Sequence, residues 1–365
     1  MEMNDKSNTV SLPEALGNTD AKGVEPSALQ TERTEAHNRA DVKGVESSAL
    51  QSIWTEKYRP QSLQDIVGQK NITEKLSAFV EKKSLPHCLF AGPAGIGKTT
   101  AALALANEFF KNQWHSNFLE LNSSDERGID TIRVKVKDFA RTMPISGSFK
   151  IVYLDEADSL TKDAQHALRR TMEAYAGTCR FILACNYSGK IIPPIQSRCA
   201  VFRFSALKKD DVINSLRSIV EKEQLSLEEK AYDAIFATSE GDMRKAINIL
   251  QMAAAADTKI TEKLVYETTN AADPHVVKEM LATAVNGDFK AARLLLHDLL
   301  YQRGLAGEDI IRELHRQIFA LDVDDHKKLE LIERTGEYEF RITEGANPLI
   351  QIESLLAQAS LIGKK

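Results

Sequence analysis

The chain has 365 residues, 43% of them hydrophobic and 27% charged, with a formal net charge of −5; this length accommodates two or three globular domains. No apolar run reaches the roughly eighteen residues a membrane span needs, and the first residues lack the cationic end and apolar core of a secretory leader, so a cytosolic or nucleoid setting is expected. An acidic total excludes a uniformly basic nucleic-acid coat but leaves room for a local basic strip, and the four cysteines, Cys88, Cys179, Cys185 and Cys199, form no C-x-x-C pair and predict buried thiols instead of a zinc site.

Residues 1–52 are poor in aromatics and rich in Glu, Ser, Asn, Thr and Ala, a composition that predicts disorder because it buries too little surface to offset its ordering entropy. Within them Lys22-Gly23-Val24-Glu25 and Ser27-Ala28-Leu29-Gln30 recur as Lys43-Gly44-Val45-Glu46 and Ser48-Ala49-Leu50-Gln51. Two copies are too few for a stacked repeat fold, so a duplicated tail and a short docking motif both remain open. Order begins at Ile53-Trp54. The segment Trp54-Thr55-Glu56-Lys57-Tyr58-Arg59-Pro60 joins aromatic, cationic and proline residues; Pro60 biases Arg59 towards an extended backbone that can lie across a surface and cover a base. Leu63 to Gln69 then leads into a helix over about 70–83.

The apolar run Cys88-Leu89-Phe90-Ala91 reads as a buried parallel strand, and Thr99 to Glu108 as a helix. Between them stands Gly92-Pro93-Ala94-Gly95-Ile96-Gly97-Lys98-Thr99, a match to G-x-x-x-x-G-K-[ST] in the strand–loop–helix order that a phosphate-binding loop requires. Backbone N–H groups of such a loop wrap a β-phosphate, Lys98 neutralises the β- and γ-phosphates, the Thr99 hydroxyl reaches Mg²⁺, and the helix N-terminus, with Thr100 in its first turn, adds partial positive charge.

Asn117 to Leu121 predicts a second strand, Ser123-Ser124-Asp125-Glu126-Arg127-Gly128 a capping loop, and Thr131 to Arg141 a helix bearing Arg133, Lys135, Lys137 and Arg141 against Asp138. This is a basic strip in an acidic protein; a solvated helix face accounts for the composition equally well. Lys150 to Leu154 is a third strand, ending in Asp155-Glu156-Ala157-Asp158. Asp155 would hold the hydration shell of Mg²⁺, and Glu156 would orient or deprotonate an attacking water. A helix from Thr161 to Tyr175 precedes a strand Arg180–Cys185, whose carboxyl end presents Asn186 where open α/β sheets bind ligands. Pro193 to Cys199 then puts Arg198 on a short, proline-started helix before a strand Val201–Phe204; its planar fork suits charge spread over phosphoryl oxygens.

Strand signals stop after Phe204. From Lys208 to Asn270 the periodicity is helical, with Asp242 as the expected cap of a helix that carries Arg244 in its first turn, where a cation opposes the helix dipole and so points to another duty. From Asp273-Pro274 onwards a second helical block is punctuated near Gly287, Gly304 and Gly345 to Pro348; its apolar faces suggest a bundle and subunit contacts, with no chemical motif.

Taken together, the Trp54–Pro60 stretch, the phosphate loop, Ser123 to Ile129, Asp155 to Asp158, Ala167-Leu168-Arg169-Arg170-Thr171-Met172-Glu173, Asn186, Ser197-Arg198-Cys199 and Gly241-Asp242-Met243-Arg244 run collinearly over about 53–250. In this the chain resembles the small subunits of replication factor C, the archaeal and eukaryotic sliding-clamp loaders of the AAA+ ATPase superfamily. The resemblance implies an α/β fold: a disordered tail at 1–52, a P-loop AAA+ ATPase domain with a parallel sheet at 53–205, a small helical lid at 206–270 and an all-α collar for oligomerisation at 271–365. The tail lies outside the family's common core.

It further implies ATP and Mg²⁺ as ligands, with Thr99 and Asp155 at the metal. Tyr58, Arg59 and Val67 fall at the adenine edge. Asn186 matches the sensor-1 position, Arg244 the sensor-2 position, and Arg198 an arginine finger that completes the adjacent subunit's site. The helix with Arg133 and Lys137 corresponds to a region that tracks the DNA backbone. Expected partners are a distinct large subunit and further copies of the small one, as a heteropentamer, together with a sliding clamp and primer-template DNA; no membrane is involved. The setting would be cytoplasm or nucleoid for an archaeal chain and the nucleus for a eukaryotic one. A GTPase would need an N-K-x-D base reader, whereas Asn186 is followed by Tyr187-Ser188-Gly189. The Glu56-Lys57-Tyr58-Arg59-Pro60 and Ser123–Gly128 stretches, with no zinc cysteines, speak against a branch-migration helicase and a bacterial clamp-loader subunit, and intact Lys98, Thr99, Asp155 and Glu156 against a non-hydrolysing scaffold.

Overall fold

A computed structural model describes residues 53–111, 114–125, 128, 130, 132–144 and 148–364, without the side chains of Arg133 and Lys364. The expected disorder and duplication of 1–52, and the motif positions Glu126, Arg127, Ile129 and Thr131, lie outside the described residues.

Five strands, β1 (Cys88–Ala91), β2 (Phe118–Asn122), β3 (Lys150–Asp155), β4 (Cys179–Cys185) and β5 (Ala200–Arg203), form one sheet in the order β2-β3-β4-β1-β5. Every pairing is parallel, with Leu89 opposite Leu183 and Val201, and Leu154 opposite Leu183. In the central strands β3, β4 and β1 both faces are buried, which is why these read as near-continuous apolar runs, whereas the edge strands β2 and β5 keep exposed residues. Alternate residues divide between two cores: Phe90, Ile151, Tyr153, Ile182 and Phe202 pack with the Lys98–Phe110 helix, whereas Leu89, Val152, Leu154, Phe181 and Leu183 pack under the Lys162–Ala174 helix. Because the strands are parallel, the phosphate loop after β1, Asp155 at the end of β3 and Asn186 after β4 all emerge at one edge of the sheet.

The expected helices are present as Lys70–Glu81, Lys98–Phe110, Lys162–Ala174 and the proline-started turn Pro193–Gln196. The Thr161 hydroxyl accepts from Ala164 N at 3.2 Å, capping the third of these. Three local expectations need amending. The helix of the basic strip opens as a π-type stretch, Ile132–Val136, and becomes regular only over Lys137–Arg141. The Trp54–Lys57 segment is one helical turn and extends only from Arg59. Cys199 is half-buried, unlike the other three thiols.

Past Phe204, helices Lys209–Lys222, Glu229–Ser239, Met243–Ala256 and Glu262–Thr269 share a separate core of Val212, Leu216, Ile235, Ile247 and Leu250. Strand signals do not stop entirely: Ser226–Leu227 and Lys259–Ile260 pair as a two-stranded parallel ladder, too short to leave a period in the sequence. The remaining helices, Pro274–Val285, Phe289–His297, Gly307–Ile318, Asp325–Thr343 and Pro348–Lys364, enclose a fourth core that includes Met280, Leu296, Ile310, Leu314 and Leu356. Asp273, Asp288 and Asp324 start three of them, each accepting a backbone N–H of the first turn.

Candidate nucleotide site

The phosphate loop folds as it does because of its glycines. Gly97 sits at φ +96° as the residue before the Lys98–Phe110 helix, a left-handed conformation that costs a side chain strain. Gly95, at φ +66°, has no room for a side chain: a Cβ there would lie 1.7 Å from the Asp242 carboxylate. Asp242 caps the Met243–Ala256 helix by accepting from Lys245 N at 2.9 Å, and Met243 N donates to Gly95 O at 3.1 Å. The helical unit Lys209–Thr269 is thereby docked directly on the loop.

Lys98 is only 8% exposed, and its ammonium donates to Gly92 O (2.7 Å), Pro93 O (2.5 Å) and Asn186 Oδ1 (3.1 Å). Burial pulls its pKa below the usual lysine value, with the nearby Asp155 carboxylate opposing that shift. Asp158 accepts from the backbone N–H groups of Asn186 (3.4 Å) and Tyr187 (3.2 Å), fixing the loop that carries Asn186.

Thr99 donates to Asp155 Oδ2 at 2.9 Å and accepts from the Tyr153 hydroxyl at 3.0 Å. Two hard oxygen donors at this spacing, one a carboxylate, suit Mg²⁺ with water and phosphate completing its shell. Burial raises the Tyr153 pKa well above the ordinary phenol value, so the group remains a donor. Asp155 Oδ1 accepts from Glu156 N at 2.9 Å, and Glu156 itself is exposed at φ +49°, a left-handed backbone that non-glycine residues adopt at some cost and that recurs at functional sites.

A cavity of about 620 Å³ gathers most of the predicted residues: Tyr58, Arg59, Val67, the loop from Ala94 to Thr100, Asp155, Glu156, Asn186 and Arg244 line it. Gly92 and Pro93 contribute carbonyls to Lys98 at its base. The Trp54–Arg59 segment is anchored to the helices of the Lys209–Thr269 unit: Lys57 Nζ lies 2.6 Å from Glu223 Oε1, the Tyr58 hydroxyl bonds the same carboxylate, and Trp54 N donates to Gln251 Oε1 at 3.0 Å. The Trp54 and Tyr58 rings meet edge to face, centroids 6.2 Å apart. Bonds from Lys57 and Tyr58 hold the Glu223 carboxyl below its usual pKa, while desolvation and Glu223 raise that of Tyr58.

Arg198 does not line this cavity. It is exposed at the end of the Pro193–Gln196 turn, donating to Pro194 O at 2.7 Å and paired with Glu173. Lys137 is also exposed elsewhere, beside a second cavity of about 630 Å³ that His166 and Arg170 share. Sequence reasoning assigned no role to Asp158, Gln165 or Tyr153. Buried Gln165 bonds Leu160 O, Lys190 O and Ile192 N, tying the segment between Asn186 and Arg198 to the Lys162–Ala174 helix. A signal for Tyr153 was present: a phenol two residues before Asp155, on the same face of an otherwise apolar strand.

Family models agree with this geometry. "ATPase family associated with various cellular activities (AAA)" matches residues 88–207, "RCF1/5-like, AAA+ ATPase lid domain" matches 214–255, and "Replication factor C C-terminal domain" matches 272–358. The chain is 55% identical over 308 residues to a replication factor C small subunit of Methanococcus maripaludis, covering 84% of this chain and 98% of that protein. It is 51% identical over 309 residues to the corresponding protein of Methanocella arvoryzae, covering 84% and 96%. Among solved structures, a variant of Thermotoga maritima RuvB shares the fold at 20% identity and a TM-score of 0.50, over 72% of this chain and 91% of that one.

Proposed function

Because the chain belongs to the replication factor C small-subunit family, AAA+ ATPases that act as clamp loaders, we propose that it helps open a ring-shaped sliding clamp and place it on primer-template DNA. It does so within a heteropentamer of small subunits and one large subunit. The proposed division of labour is an ATPase domain over 53–205, a lid over 206–270 and an oligomerisation collar over 271–365; exposed Leu294, Phe319 and Phe340 in the last give it apolar surface for partners.

ATP occupies the 620 Å³ cavity. Tyr58, Arg59 and Val67 border the base, Lys98 meets the β- and γ-phosphates, and Asn186 and Arg244 read the γ-phosphate. Thr99 and Asp155 hold Mg²⁺, which when bound supplies neutralising charge to the phosphates. Glu156 takes or orients the proton of the attacking water. Contacts to the γ-phosphate exist only before cleavage, so binding orders the assembly on clamp and DNA and hydrolysis releases a closed clamp. Lys137, with Arg133 on the same helical stretch, meets the DNA backbone; the cavity that Lys137 shares with His166 and Arg170 supports sequence-independent phosphate contact.

The observation that carries this reading is the separation of two groups: Lys98, Thr99, Asp155, Glu156, Asn186 and Arg244 converge, whereas Arg198 stands exposed outside their cavity, held by Glu173 and Pro194 O on the surface where a neighbour can meet it. Arg198→Ala is expected to leave ATP binding by the isolated chain nearly intact and to abolish DNA-stimulated hydrolysis by the assembled loader. Weak ATP binding by the isolated variant would overturn the role in trans.

A further inference from the structure

We propose that Tyr153 is a positioning residue for the Thr99 hydroxyl, holding it in the one orientation that keeps a lone pair available to a divalent cation. Tyr153 is fully buried, at 0% exposure, in a strand whose other core residues are Ile151, Val152 and Leu154. A phenol costs free energy in such a place unless its hydroxyl is bonded. Its ring lies nearly parallel to Phe118, at 18° and 6.2 Å between centroids, so packing fixes the oxygen. That oxygen meets Thr99 Oγ1 at 3.0 Å.

The direction of each bond follows from the groups. Asp155 Oδ2 accepts the single proton of the Thr99 hydroxyl at 2.9 Å, and the Tyr153 hydroxyl lies near the same carboxylate. Thr99 therefore accepts from Tyr153. A hydroxyl has one proton and two lone pairs. With the proton committed to Asp155 and one lone pair to Tyr153, a single lone pair is left, on a residue that lines the nucleotide cavity. An apolar residue at 153 would leave the rotor with two free lone pairs and the Asp155 bond as its only restraint, so orientation would have to be fixed when the cation binds.

The inference rests on the assignment of Thr99 and Asp155 to Mg²⁺, and its test separates the two. ADP affinity of the full chain is measured in EDTA and across a Mg²⁺ titration. For Tyr153→Phe, affinity in EDTA is expected to stay within about twofold of the parent, while the Mg²⁺ concentration giving half the affinity gain rises about three- to tenfold, the worth of one hydrogen bond. In a Thr99→Ala background the same substitution is expected to produce no further shift. Unchanged Mg²⁺ dependence in Tyr153→Phe, a parallel loss of affinity in EDTA, or a shift that survives Thr99→Ala would each overturn the positioning role alone. An unmodified chain whose ADP affinity does not respond to Mg²⁺ would overturn the metal assignment and the inference with it.

Discussion

Lys98 and Glu156 share one cavity, yet their replacements should separate binding from turnover. The Lys98 ammonium makes three bonds at the base of the loop. Exchanging them for phosphate oxygens gives charge-assisted contacts, so Lys98→Ala should weaken ATP binding by about 2 kcal/mol or more by calorimetry. Glu156→Gln should preserve that affinity and reduce the hydrolysis rate by about a hundredfold or more in a phosphate-release assay.

His87 reports on stability instead. His87 accepts from Phe181 N at 3.1 Å through Nδ1 and is pulled down from 6.5 to about 4, first by burial and then by the Arg180 charge. The ring is neutral in the fold, and the unfolded chain takes up its proton near 6.5. Its contribution is complete above pH 6.5 and is lost as the pH falls towards 4, because there the unfolded state binds more protons. Urea melts across that interval should show a shallower acid decline for His87→Gln; an identical slope would refute the assignment.

The Trp54–Lys57 turn belongs functionally with the helices that follow the sheet. Its anchors, Glu223 and Gln251, lie on those helices and their caps, and Trp54 and Tyr58 pack on the same core. Removing Glu223 should therefore loosen the proposed base-covering edge without touching the phosphate loop. Glu223→Ala is expected to lower ATP affinity by about threefold to tenfold and to leave inorganic triphosphate binding unchanged. An equal loss for both ligands would show that the anchor supports the whole cavity.

Across the molecule, four hydrophobic clusters carry the stability, and ionic links between them carry little. Arg316 reaches Glu240, at the turn before Gly241-Asp242-Met243-Arg244, but the two side chains are 47% and 63% exposed. Solvent screens such a pair, so Glu240→Gln, which removes it while leaving the bond from Arg316 to buried Glu313 in place, should change the unfolding free energy by less than about 1 kcal/mol. Leu314, on the same helix, is fully buried in the C-terminal core. Leu314→Ala should cost about 2–5 kcal/mol, by the lost transfer energy and the cavity left behind. Chemical denaturation of both variants tests the contrast directly.

The primary structure by itself determined what is local: the strand–loop–helix around Gly92–Thr99, the acidic end of β3 at Asp155-Glu156, the aspartate caps and the helical period of the last third. Each depends on residue type and spacing over a few positions, where backbone freedom, charge and hydrophobic period act directly. Folding decided what depends on distance through space. That Asp242 blocks any side chain at Gly95, that Glu223 anchors Tyr58, and that Tyr153 reaches Thr99 join residues many positions apart. Packing sets those pairings, and no short-range period encodes them. The brief Ser226–Leu227 ladder and the π-type opening of the Ile132–Arg141 stretch were likewise tertiary outcomes, since two paired residues or one widened turn leave no pattern to read.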